Sequence, residues 1–328
     1  MKKTSTPSFF KNMSTLKKVL TVFFVLLVFI IIIEQPGSDK SKKDKSAKFF
    51  IPKLVIKEVQ KIGIQKPNKK EIILEKKDGK WQVNDGRYLP ANSKKIEDFL
   101  KANHALKQIG LVSKNPNRMS VYSVDEKMGR KIRIWNNKKD KIADFFVGKI
   151  TKDGQFLRHS NSNSVYETIP SLSAFLPDGA EGWKDKTLLN IDEDKAISIT
   201  LKYPKKELVL KNYFVDHKSG EWKISKPKTG KIDEDSLKKL FEQLKKFEAK
   251  SFASIDEEKN TDFKKPDYKI SVRMTDNSMK SISFVEKDED EKDLYAKKDK
   301  SDIVYIVSSD TVDKIFGLEF DPDNESDK

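Results

Sequence analysis

The sequence contains no cysteine in 328 residues. That excludes disulfide scaffolds, cysteine-ligated zinc or iron–sulfur centres, thiol nucleophiles and lipid attachment at a lipoprotein cysteine. Histidine is scarce: His104, His159 and His217 are the whole set, and no pair has the HxxxH or HExxH spacing of a helical zinc site. Arginine is scarce too, limited to Arg87, Arg118, Arg130, Arg133, Arg158 and Arg273 among 66 basic residues. Nucleic-acid sites favour arginine, whose planar fork reads phosphate and guanine. A lysine-rich surface scattered with Asp and Glu reads instead as solvation. The 13 glycines form neither GxxxxGK nor GxGxxG, so the chain is not itself a nucleotide-driven ATPase, and no GxSxG elbow occurs.

What is present is unevenly placed. Net charge is +15, and residues 1–48 hold ten Lys against three acids, a net of +7. Val19–Ile33 is one unbroken run, VLTVFFVLLVFIIII, softened by Thr21. As a helix it reaches roughly 22 Å, and Lys17 and Lys18 at one end with Glu34 and Gln35 at the other bring a span within reach. A cleaved signal peptide is the rival, but the run ends Ile-Glu-Gln-Pro-Gly rather than at a small-x-small site. The expectation is therefore a basic cytoplasmic tail (1–18), a transmembrane anchor (19–35) and a charged linker (36–53), with the body outside the cytoplasm. The expected location is a cytoplasmic membrane, crossed once.

The body reads as one unit written twice. Lys69-Lys70-Glu71-Ile72-Ile73-Leu74 recurs as Lys205-Lys206-Glu207-Leu208-Val209-Leu210, and Gly79-Lys80-Trp81 as Gly220-Glu221-Trp222. Ile96, Phe99, Leu100 and Leu106 match Leu237, Leu240, Phe241 and Phe247, and Val165-Tyr166 matches Val304-Tyr305. Five extra residues in the second unit fall around Tyr213–His217. Asp78-Gly79 between Ile72–Leu74 and Trp81–Val83 is a hairpin signal. Helical stripes run through Ser93–Leu106 and Asp233–Phe247. Strands follow at Lys131–Trp135, Ile142–Val147 and Ser164–Thr168, and again at Tyr268–Met274, Ser281–Val285 and Ile303–Val307. Short closing helices are expected at Ser171–Phe175 and Asp310–Phe316. The fold class is α+β: two tandem repeats (54–190 and 191–320), each a mostly antiparallel sheet packed with one main helix, then an acidic tail (321–328).

Three stretches resemble a bacterial family, the domain of unknown function numbered four-three-four-zero. They are Ile73-Leu74-Glu75-Lys76-Lys77-Asp78-Gly79-Lys80-Trp81, Tyr122-Ser123-Val124-Asp125, and Trp183-Lys184-Asp185-Lys186-Thr187-Leu188-Leu189-Asn190-Ile191-Asp192. The family tends to carry Gly where this chain has Ser123. The resemblance extends over nearly all of residues 54–320. It implies that the membrane is bacterial and the chain an envelope-facing, membrane-tethered accessory module beside a gliding-motility-type ABC transporter, with no catalytic residues to carry over.

No chemistry stands out residue by residue. The three histidines read as solvated or edge-packed, His104 beside the apolar helical stripe and His159 in a polar loop. The acidic run Asp288-Glu289-Asp290-Glu291-Lys292-Asp293 has Asp293 where a calcium loop needs Gly, and Asp321-Pro322-Asp323-Asn324-Glu325 is followed by Ser326 at that position. Trp81 and Trp222 are either stacking platforms for sugar or peptide, or, since both units carry one, core residues beneath the helix. No catalytic residue, cofactor, metal, small-molecule ligand or nucleic acid is expected. The expected partners are the membrane and other envelope or ABC transporter proteins. The leading expectation is a non-catalytic, membrane-anchored scaffold; the alternative is a cell-wall or glycan-directed enzyme or binding protein.

Overall fold

The computed structural model describes residues 48–84, 86–215, 218–287 and 292–320. The expected anchor at Val19–Ile33 and the acidic tail lie outside these residues. Among the described residues no helix is long and apolar enough to cross a membrane.

Mostly antiparallel sheets with few helices make up the body. The first sheet contains β1 (Val59–Gln65), β2 (Ile72–Lys77), β3 (Lys80–Asn84), β4 (Tyr88–Pro90), β5 (Lys107–Ser113), β6 (Arg130–Asn136), β7 (Lys141–Ile150), β8 (Gln155–His159) and β9 (Val165–Ile169). Their order is β4-β3-β2-β1-β6-β7-β8-β9-β5. A connector strand, β10 (Thr187–Leu189), leads into the second sheet of β11 (Ala196–Lys202), β12 (Glu207–Val215), β13 (Lys218–Lys226) and β14 (Gly230–Lys231). It continues, past β15 (Phe247–Glu248), with β16 (Ser251–Phe252), β17 (Tyr268–Met274), β18 (Met279–Glu286), β19 (Asp293–Lys298) and β20 (Val304–Ser308). That order is β14-β13-β12-β11-β17-β18-β19-β20-β16, the first sheet's order element for element, while β10 pairs with β15 apart from it.

Local chemistry explains the elements. The β2–β3 hairpin turns through Asp78 (φ 49) and Gly79 (φ 75), the left-handed pair that matches strand twist. Trp81 and Val83 point into the core and Lys80, Gln82 and Asn84 point away, the period-two pattern of a half-buried strand. Helix α1 (Ser93–Ala105) is capped by the Asn92 side chain and buries Ile96, Phe99 and Leu100. Helix α2 (Glu234–Lys245) is capped by Asp233 and buries Leu237, Leu240, Phe241 and Leu244. Two short helices follow, α3 (Ile255–Asn260), opened by a Ser254–Glu257 capping box, and α4 (Ser309–Phe316). Each sheet closes its own core against its helix, and burying each large apolar side chain contributes about 1.5–3 kcal/mol.

The sequence reading needs several corrections. Each unit has nine sheet strands, so β1, β4, β5, β8, β11, β14, β16 and β19 join the expected ones. β5 escapes detection because an edge strand buries neither face, and β8 because its inward positions include Gln155 and Arg158. Residues 36–53 are not all linker, since Phe50 and Ile51 are buried in the first core. The closing helix expected at Ser171–Phe175 shrinks to a 3₁₀ turn, Ser173–Phe175, hemmed by Pro170 and Pro177. Gly220 lies within β13 rather than in a turn, because the five extra residues lengthen the β12–β13 hairpin. Its N–H bonds the buried Asn212 side chain at 3.0 Å.

Candidate functional site at the junction

The two sheet units meet where the β4 corner of the first faces the β16 edge of the second. Arg87, just before β4, sets Nη1 2.6 Å from Glu258 Oε2 of α3, and its Nη2 donates to the Ala253 carbonyl. Glu258 is held in turn, its Oε1 accepting from Val304 N at 3.0 Å. Phe252 and Ile303 pack against both cores at once. Both ends of the Arg87–Glu258 pair are only about one-fifth exposed, 21% and 19%, so the charges attract through a medium poorer than water.

The connector is fastened to both sides. Trp183 is fully buried in the first core, edge-on to Phe99 at 5.7 Å, and its carbonyl accepts from Asn92 N. Asp185 N donates to Pro90 O at 2.8 Å, and from Lys186 onward the connector belongs to the second unit, with Ala249 N on Lys186 O and β10 on β15. Two lysines clamp its carbonyls, Lys298 Nζ on Thr187 O at 2.6 Å and Lys280 Nζ on Asn190 O at 3.0 Å. Burial, helped by the charge of Lys80, pushes the Lys298 amine below its ordinary pKa, with Asp185 opposing. Beside these lysines a cleft of about 720 Å³ opens, lined among others by Asp185, Leu188, Asn277 and Met279.

Glu257, next to Glu258, closes the α3 capping box. The Ser254 backbone N–H is the main cause that holds its carboxyl down at about 2; the Ser254 and Tyr295 hydroxyls and Lys287 act in the same direction and burial opposes. The arrangement is therefore a set of charges and hydrogen bonds that joins the two sheets at the Arg87 corner and along the connector.

The sequence-stressed residues are dispersed. His104 Nδ1 lies 3.0 Å from Leu54 O on the rim of α1. His159 is not in a loop: it ends β8 and stacks on Phe50 with ring centroids 4.1 Å apart and 6° between planes. His217 and Asp288–Glu291 lie outside the described residues, and Asp293 pairs with Lys250 at 2.9 Å. Trp81 and Trp222 are buried, Trp222 edge-on to Phe241 of α2 at 5.3 Å, which is the core reading of the pair. Among the described residues no group of three metal-binding side chains converges.

Sequence reasoning missed Arg87, yet a signal for it existed. In a chain that otherwise uses lysine, four of the rare arginines each fasten distant backbone or side chains. Arg158 donates to Val124 O and Ser162 O, Arg130 to Leu176 O and Asp178, Arg133 to Gln65 while pairing with Glu71, and Arg87 spans the junction. A guanidinium serves several acceptors in one plane, which an ammonium does not.

Fold and junction together define a sheet-rich α+β protein of two edge-joined antiparallel units. The family model described as Domain of unknown function (DUF4340) matches residues 81–268, and the chain belongs to that family. The match runs from Trp81 in β3 to Tyr268 at the start of β17, so it crosses the junction rather than covering one sheet. No curated protein and no solved structure matches the chain.

Proposed function

We propose that this protein is a membrane-anchored accessory or scaffold protein of the bacterial envelope. In this reading residues 19–35 tether a body lying outside the cytoplasm, the two sheet units are tandem copies of one ancestral fold, and the partner is an ABC-type transporter or envelope assembly. The junction carries the reading: Arg87, Glu258, Phe252 and the doubly fastened connector hold two units at one spacing. A fixed spacing on a tether suits a protein that positions partners.

Purification from detergent-solubilised membranes tests it. Transporter or envelope subunits are expected to co-purify with the intact chain; recovery of the chain alone under every condition overturns the proposal. Protease added to spheroplasts is expected to digest the body, and protection of the body overturns the topology. The cleft beside Lys280 and Lys298 favours a second reading, a glycan-directed envelope enzyme or binding protein. Saturable binding of cell-wall oligosaccharides, lost on filling the cleft with Asn277→Trp, would support that alternative.

A further inference from the structure

Four strands form the outer edges of the two large sheets, and three of them are blunted. β4 has three residues, β14 two and β16 two. β5 has seven, with bulges at Ile109 and Val112 in its ladder to β9, and closes the first sheet on the side away from β4. Proteins ordinarily shorten, cover or charge such edges, because unpaired N–H and C=O groups template further pairing. On β5, Ile109, Leu111 and Val112 are instead 45%, 49% and 38% exposed. The start of the strand is covered, with Phe50 N on Leu106 O at 2.8 Å and Gln108 N on Lys48 O at 2.9 Å. Beyond Gln108 no described residue pairs with that side of β5.

The second unit shows the same edge position covered. Leu111 lies opposite Tyr166 as Phe252 lies opposite Tyr305, at matching places in two sheets of identical order. At the junction Phe252 packs between the cores, and Ala253 after it is 1% exposed beneath the Arg87 corner. Leu111, the counterpart of Phe252 in the first unit, is bare, and so is Val112 in the bulge beside it.

Charge selects the occupant. The junction joins a cationic corner to an acidic edge, Arg87 to Glu258. Around β5 the sign is reversed: from Phe99 to Val124 there is no Asp or Glu, while Lys107, Lys114 and Arg118 flank the strand; Lys101, on α1, is paired with Glu97. The acid on the neighbouring strand is Glu167, half-buried opposite Gly110.

We infer that β5 is a strand-addition site for an extended segment of a partner protein in which apolar residues alternate with Asp or Glu. Its backbone pairs with the outward N–H and C=O groups of Ile109–Ser113, its apolar side chains lie against the exposed Leu111 and its bulged neighbours, and its carboxylates reach Lys107, Lys114 and Arg118. The inference rests on the scaffold reading and names how a partner is held.

The test uses the full chain in detergent micelles and two probes, a short peptide alternating isoleucine with glutamate and its isoleucine–lysine twin. The glutamate peptide is expected to slow hydrogen exchange at those amides of Ile109–Ser113 that point away from β9, and the lysine twin to bind roughly tenfold more weakly or worse. Leu111→Lys, an exposed position that leaves the fold intact, abolishes the protection; Lys114→Glu with Arg118→Glu exchanges the peptide preference. Equal binding of both peptides, protection elsewhere in the chain, or outward-facing amides already protected before peptide is added would each overturn the inference. So would concentration-dependent self-association lost in Leu111→Lys, or capture of the same surface by anionic vesicles in place of the peptide. The two readings fail separately: if Leu111→Lys retains every co-purifying subunit, the strand site falls and the scaffold stands. If the unaltered chain co-purifies with nothing, the scaffold falls whatever the peptides do.

Discussion

Arg87 and Glu258 lie 171 positions apart in the chain and 2.6 Å apart in space, and their pairing ties one sheet to the other. Removing either partner leaves a half-buried charge without its counterion. Arg87→Met and Glu258→Gln are each expected to cost about 1–3 kcal/mol, seen as a lower urea midpoint followed by tryptophan fluorescence. The double variant should cost less than the sum of the two, because the second change removes an already orphaned group.

Asn103 is fully buried in α1. Its Nδ2 donates to Phe99 O at 2.8 Å, and its Oδ1 has no partner. The matching position of α2 is Leu244, which is also buried and packs against its own core. Asn103→Leu replaces an unsatisfied oxygen with an apolar side chain of the same branching and heavy-atom count, so a gain of about 1–2 kcal/mol is expected. A higher melting temperature in calorimetry checks it; an unchanged or lower one shows that the side chain does not fit.

Ser123 holds a backbone conformation that suits glycine. It caps the 3₁₀ helix Pro116–Tyr122 with φ 55 and ψ 38, a left-handed conformation that crowds any Cβ. Ser123→Gly is expected to raise stability by up to about 1 kcal/mol in chemical denaturation.

His159, stacked on Phe50, has its pKa lowered by burial, with a backbone hydrogen bond at Phe50 opposing. The unfolded chain therefore takes up its proton first as pH falls. The stability it contributes is complete above the ordinary imidazole value of about 6.5 and is lost as pH falls through the lower folded value. Melting temperature should decline between about pH 7 and pH 5, and His159→Phe should flatten that decline. A decline of equal slope in both proteins rules out this histidine as its source.

Much of the fold is legible from local pattern. Asp78-Gly79 announces its hairpin, and the stripes through Ile96, Phe99 and Leu100 and through Leu237, Leu240 and Phe241 announce both helices. The matching positions of Trp81 and Trp222 place one buried indole in each unit. Edge and polar-lined strands are not legible in this way. β5 exposes both faces, and β8 hides Gln155, whose Oε1 accepts from Leu172 N and whose Nε2 donates to Gly148 O, so hydrogen bonds replace the expected apolar beat. The junction was beyond reach for a different reason. Its partners are set by the docking of two finished sheets, and no periodicity within either half encodes that Arg87 meets Glu258.

The central claim is that the two units are held at one spacing, and the missing cysteines make it directly measurable. Spin labels on Lys101→Cys in α1 and Lys245→Cys in α2, both exposed, report the distance across the junction by double electron–electron resonance with no native thiol to interfere. The account requires a single narrow distance distribution in the otherwise unaltered chain, broadening when Arg87→Ala is added. A broad or multimodal distribution with Arg87 in place would contradict it.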